Sequence, residues 1–189
     1  MTNRRSVLKW LSGALGTASA ALIAIPGGRF LAGAMRSQRR DKAVLQRVAR
    51  LEDLVPGRPT QVAVIGNRRD AWTLYPDEVI GRVWLVRQSE PSVKEPLPRV
   101  AAFTAVCPHL GCTIQLGASG GEFVCPCHRA AFALDGAPAA DAQGGRKSHA
   151  PRGMDALECR VTRDAHDEYW VEVAYEKFEP GLTKQVRKA

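Results

Sequence analysis

The 189 residues, 45% of them hydrophobic, suffice for one soluble domain of ordinary size plus an appendage, and they exclude a disordered chain as the default reading. The net charge of +8 is unevenly placed: residues 1–50 hold ten Lys or Arg against the single acid Asp41, whereas the remaining 139 residues carry a net −1. The basic excess thus flanks an apolar segment while the rest is nearly neutral, which argues against a nucleic-acid partner.

At the amino end, Trp10 to Gly28 are nineteen residues without a charge. As a helix they span about 28 Å, close to the roughly 30 Å of a bilayer's hydrocarbon core. Asn3-Arg4-Arg5-Ser6-Val7-Leu8-Lys9 precedes them and resembles a twin-arginine export signal, with Val7 where such signals usually carry an aromatic residue. Ala18-Ser19-Ala20 is a small-residue cleavage pattern. The apolar run nevertheless continues through Leu22, Ile23 and Ile25, so an uncleaved anchor over residues 1–35 is expected. Arg29, Arg36, Arg39, Arg40, Lys42, Arg47 and Arg50 follow the segment, and the positive-inside rule alone would reverse the orientation. The export signal and the cysteine chemistry below outweigh it.

Residues 36–58 read as a polar linker or hinge, partly helical, because Val44, Leu45, Val48 and Leu51 recur at helical spacing. Pro56-Gly57-Arg58-Pro59 ends that stretch and opens a domain over 59–176. Short runs rich in Val, Ile and aromatics predict strands at Gln61–Ile65, Trp72–Tyr75, Arg82–Arg87, Val100–Val106, Leu157–Arg163 and Tyr169–Tyr175. The expected fold class is all-β, a small antiparallel β sandwich or open barrel. Asp135 to Gly153 reads as a long loop, and the tail 177–189 as loosely ordered.

Chemistry concentrates in Cys107-Pro108-His109-Leu110-Gly111-Cys112 and Cys125-Pro126-Cys127-His128, where four cysteines and two histidines fall within 22 positions. Sulfur with imidazole suits zinc, copper or an iron–sulfur centre, and not calcium or magnesium. A zinc-binding module is the plain alternative, although zinc arms usually space their ligands by two to four residues. Six soft ligands are two too many for one tetrahedral site. A disulfide would leave two Cys and two His, the set of a [2Fe–2S] cluster with His on one iron. Counting does not say which cysteines pair.

The two loops, CPHLGC and CPCH, resemble those of the Rieske iron–sulfur proteins, specifically the cytochrome bc complex (quinol–cytochrome c reductase) subfamily. The resemblance covers roughly residues 60–175. It implies one [2Fe–2S] cluster in a subdomain of two loops, with Cys107 and Cys125 on the inner iron and His109 and His128 on the outer. It implies a Cys112–Cys127 disulfide, which oxygenase-type Rieske domains lack, and a shielding role for Leu110. It also implies a quinol donor that hydrogen-bonds to His128, with His109 second. The implied partners are a cytochrome b-like membrane subunit and a cytochrome c-like haem protein. A disulfide requires an oxidising compartment, so the soluble domain is expected on the outer face of a bacterial cytoplasmic membrane. The competing assignment within the family is the Rieske small subunit of another exported oxidoreductase, arsenite-oxidase-like, whose partner is a molybdenum subunit.

High-potential members of the family follow CPCH with Gly-Ser and, two residues after the serine, Tyr. Here the positions are Arg129, Ala130, Ala131 and Phe132, so both hydroxyls are absent. Hydrogen bonds to sulfur favour the reduced state, and their loss lowers the potential. Arg129 opposes this by bringing a cation. The expected potential lies in the lower or middle part of a range of roughly −150 to +300 mV, suited to a donor such as menaquinol. Ser148-His149-Ala150-Pro151-Arg152 resembles the second half of the family's proline-rich loop, with His149 a loop residue. Cys159 reads as a buried, inert thiol.

Overall fold

The computed structural model describes residues 3–37, 43–70, 73–88, 97–139 and 148–188. It divides into two units, one ending at Lys42 and one covering Ala43–Lys188.

The first unit is a helix, α1 (Arg4–Ser37), longer at both ends than the uncharged run and carrying Pro26 within it. Its segment Arg4–Gly33 is long and apolar enough to cross a membrane, with a mean hydropathy of 1.4. Trp10, Leu22 and Ile23 are each more than three-quarters exposed. A helix satisfies its own backbone hydrogen bonds, which is what crossing a bilayer requires.

The second unit is antiparallel β throughout, as the strand pattern predicted. Strands β1 (Leu45–Arg50), β10 (Cys159–Arg163) and β11 (Tyr169–Ala174) form one sheet in the order β1-β11-β10. A second sheet, ordered β2-β3-β4-β9, comprises β2 (Thr60–Asp70), β3 (Thr73–Arg87), β4 (Val100–Thr104) and β9 (Ala156–Leu157). The third has four short strands in order: β5 (Gln115–Leu116), β6 (Glu122–Val124), β7 (Ala131–Ala133) and β8 (Pro138–Ala139).

The Val83–Val86 end of β3 is buried on both faces, and the alternation of its side chains shows how. Val83 and Leu85 point to a core with Leu51, Leu54, Val64, Ala102, Val171 and Val173. Trp84 and Val86 point the other way, to a core with Phe103, Ile114, Phe123, Phe132 and Met154. Strand β4 divides likewise, with Ala102 on one side and Phe103 on the other. The second core contains Cys107 and Cys125, so the packing that holds the domain also holds the two cysteine loops. Trp84 and Phe123 stack with centroids 5.2 Å apart, and the Trp84 indole N–H donates to the Ile114 carbonyl at 3.2 Å. Such an aromatic is buried without an orphaned donor.

Three expectations need correction. Residues 45–50, read as partly helical linker, form β1 and pair with β11. The register shifts between Arg47 and Ala49, so Val48 is an extra residue. That bulge breaks the period of two and imitates helical spacing. Arg47 and Arg50 therefore belong to the folded domain. Both guanidinium groups lie 5.3 Å from the Trp170 ring centre, and Arg47 faces Asp164 and Glu172 at 3.7 Å. They do not count as free charges flanking the helix. Second, the strands expected at 72–75 and 82–87 are one strand, β3, with Trp72 outside the described residues. Third, the tail is not loose: Phe178 bridges Arg187, and the Glu179 N–H donates to the Val186 carbonyl at 2.8 Å. Residues 38–42 of the expected linker, and 140–147 of the long loop, lie outside the described residues.

Candidate metal centre

The first loop closes the end of β4. Val106 bridges Thr113, the Cys107 N–H donates to the Cys112 carbonyl at 2.7 Å, and the Gly111 N–H returns to the Cys107 carbonyl at 2.9 Å. Gly111 has φ +80°, a left-handed conformation that a side chain disfavours, which is why glycine stands in this turn. The second loop is the tip of the β6–β7 hairpin, closed by the Cys125 N–H on the Ala130 carbonyl at 2.8 Å. Arg129 in that tip adopts φ +57°, where the family pattern has glycine.

A disulfide joins Cys112 to Cys127 across the two loops, with Cα atoms 6.6 Å apart. Cys107 and Cys125 remain free thiols, 1% and 2% exposed. The Cys107 thiol has the Cys125 thiol and the His109 and Leu110 backbone N–H groups as its electrostatic neighbours. Burial, with help from the Cys125 thiol, pushes Cys107 up to about 11 from its ordinary 9.0, against the pull of the two amides. The His109 and His128 rings meet edge to face, with centroids 4.8 Å apart. His109 is half-buried and His128 exposed.

The sulfur atoms of Cys112, Cys125 and Cys127 also lie within 4.8 Å of one another. That triad is not a ligand set, because two of its sulfurs are bonded to each other and offer no thiolate. The four groups left are two buried thiols in contact and two imidazoles in contact, one of each from each loop. This donor chemistry fits a [2Fe–2S] cluster with sulfur on one iron and imidazole on the other. A lone zinc could use the same four donors.

Around these groups, Ala130 and Phe132 are both fully buried in the core that contains Cys107 and Cys125. Ala150, from the stretch that resembles the proline-rich loop, packs against the same core. His149 beside it is exposed. Leu110 is 62% exposed at the outer end of the first loop, next to His109. Cys159, expected to be buried, is only half-buried on β10, far along the chain from the centre, and desolvation raises its thiol to about 12. Sequence reasoning missed the tail as a neighbour of the site: the Gly181 N–H donates to the Pro108 carbonyl at 2.8 Å, inside the first loop. Only the unpatterned glycine at the hairpin tip hinted at it.

A family model for the Rieske [2Fe-2S] domain matches residues 44–149. No curated protein matches the chain. Among solved structures, the chain is similar to the cyanobacterial plasma membrane Rieske protein PetC3 from Synechocystis PCC 6803, at 22% identity over 67% of this chain and 97% of that one, with a TM-score of 0.39. It is similar to the ferredoxin of carbazole 1,9a-dioxygenase from Nocardioides aromaticivorans IC177, at 23% identity over 68% and 96%, with a TM-score of 0.35. It is also similar to the terminal oxygenase of carbazole 1,9a-dioxygenase from Novosphingobium sp. KA1, at 15% identity and a TM-score of 0.44. There the match covers 75% of this chain and 32% of the oxygenase. At these values the likenesses do not choose between an electron carrier and an oxygenase component.

Proposed function

This chain belongs to the Rieske [2Fe-2S] domain family and binds one such cluster, and from that premise we propose that it is the membrane-anchored electron-transfer subunit of a cytochrome bc-like complex. In this reading it takes electrons from a quinol and passes them to a cytochrome c-type haem, beside a cytochrome b-like subunit. Cys107 and Cys125 bind one iron and His109 and His128 the other. The observation that carries the subfamily choice is the Cys112–Cys127 disulfide between the loops. An oxygenase-type domain has no such pair, and the bond needs an oxidising compartment. Helix α1 supplies the anchor, and the twin-arginine pattern at Arg4-Arg5 an export route for a folded domain. The domain then sits on the outer face.

When bound, the cluster supplies one-electron redox chemistry. The chain's own groups do the rest. Each imidazole binds metal through one ring nitrogen, and the other nitrogen can exchange a proton. His128, with its ring exposed, accepts the hydrogen bond and then the proton from the quinol hydroxyl. His109, half-buried against it, is the second proton acceptor. The buried Cys107 and Cys125 keep water from the inner side, and Leu110 covers the outer edge. Ala130 and Phe132 supply no hydroxyl to the sulfurs, which keeps the potential in the lower or middle range and matches a menaquinol-like donor.

The test is an EPR-monitored redox titration of the full chain in native membranes, followed by purification of the complex in mild detergent. A rhombic signal of low average g, reduced by quinol and co-purifying with b- and c-type haem, supports the proposal. A molybdenum subunit in place of cytochrome b would overturn the complex assignment. A silent sample containing zinc would overturn the site.

A further inference from the structure

We infer that residues 177–188 form a strut that positions the first cluster loop, and that Arg152 is the positioning residue that locks the strut in place.

Arg152 is 9% exposed and forks onto Asp155, itself 4% exposed, with Nε–Oδ1 and Nη2–Oδ2 both at 2.8 Å. The same guanidinium donates outward to two carbonyls of the tail, Leu182 at 2.5 Å and Glu179 at 3.0 Å. Between those carbonyls stands Gly181, whose N–H donates to the Pro108 carbonyl at 2.8 Å. The far end of the relay is anchored in the middle sheet, because the Asp155 carbonyl accepts from the Thr104 N–H at 2.9 Å. A continuous path of hydrogen bonds therefore runs from β4 through Asp155, Arg152 and the tail to Pro108.

Pro108 sits between Cys107 and His109. The carbonyl that Gly181 grips belongs to the peptide joining Pro108 to His109, one residue from Cys107. Holding that peptide plane fixes how the loop presents Cys107 and His109. Groups that orient the ligands of a cluster tune its potential. The strut thus acts on the redox centre without touching it.

Packing places only part of the tail: Phe178 lies against the core, and the Gln185 amide donates to the Ala156 carbonyl at 2.9 Å. A cavity of about 480 Å³ separates part of it from the sheet and the first loop, lined by Gly111, Thr113, Tyr175, Phe178 and Pro180. Hydrogen bonds supply the rest of the register: of the five guanidinium donors, two reach tail carbonyls and two hold Asp155. Arginine is needed for its fork: a lysine would keep the charge beside Asp155 but not the geometry that reaches both carbonyls.

The inference rests on the reading that Cys107 and His109 hold the cluster. It is tested on the full chain in detergent with Arg152→Gln and Arg152→Lys, by amide hydrogen exchange in cluster-free and cluster-loaded protein and by the midpoint potential of the loaded protein. In Arg152→Gln, exchange at Gly181 and across 107–112 should quicken roughly ten- to hundredfold, while amides of β3 and β11 keep their rates and the midpoint moves. Arg152→Lys should fall between, and carries the comparison alone should Arg152→Gln not fold. Faster exchange in the tail with loop 107–112 unchanged would overturn the strut, as would uniform acceleration through the sheets or an unmoved midpoint. A cluster retained by Cys107→Ala would instead overturn the ligand assignment and leave the cluster-free exchange result standing.

Discussion

The rings of His109 and His128 lie 4.8 Å apart at 74° to each other, although nineteen positions separate them in sequence. The loops that bear them come from different parts of the fold, one from the end of β4 and one from the β6–β7 tip, and the Cys112–Cys127 bond ties them together. The fold and the disulfide therefore bring four donors from two distant loops to one place.

That convergence leads to a ligand prediction. Cys107→Ala, Cys125→Ala, His109→Ala and His128→Ala should each lose the cluster, read as iron content and visible absorbance, with the β signal in circular dichroism retained. Cys159→Ala and His149→Ala should keep full iron content. Retention of the cluster by any of the first four would remove that residue from the site.

The missing hydroxyls predict a change of potential with sign and size. Ala130 and Phe132 are fully buried beside Cys107 and Cys125. Ala130→Ser and Phe132→Tyr should each add a hydrogen bond that favours the reduced form by about 1 kcal/mol. For a one-electron couple that is an upward shift of about 40 mV apiece. An EPR titration checks it, and unchanged midpoints would show that these positions do not face the cluster sulfurs.

The disulfide closes a separation of 15 residues. Loop-closure entropy then puts its contribution at about 3 kcal/mol. The double variant Cys112→Ser/Cys127→Ser should lower the unfolding free energy of the cluster-free chain by that order, measured by denaturant titration. It should also lose a bound cluster faster in air, since the loops are no longer tied.

Alkaline pH supplies another test. The Cys159 thiol is raised from 9.0 to about 12, and burial also raises the Tyr175 hydroxyl. Between about pH 9 and 12 the unfolded chain gives up the Cys159 proton while the folded chain keeps it. Folded protein then binds more protons, and stability falls as pH rises through that window. Cys159→Ala should flatten the fall. An unchanged pH profile would show that the thiol is not desolvated.

What the sequence by itself determined is local. The two cysteine–histidine loops, the apolar amino-terminal segment and most strands were legible because each depends on neighbours a few residues away: ligand spacing, an uncharged run, alternation in Val and Ile. Tertiary structure decided what depends on distant partners. Cysteine counting left the pairing open, and the family resemblance suggested Cys112 with Cys127; only the approach of the two hairpin tips brings those two together. Leu45–Arg50 looked helical until β11 offered it an edge and Val48 bulged out of the ladder, since strand preference follows the available partner more than the residues themselves. The tail carried no pattern at all. Its place comes from Arg152 and Pro108, 27 or more positions earlier, whose hydrogen-bonding groups it satisfies only once the sheets have packed.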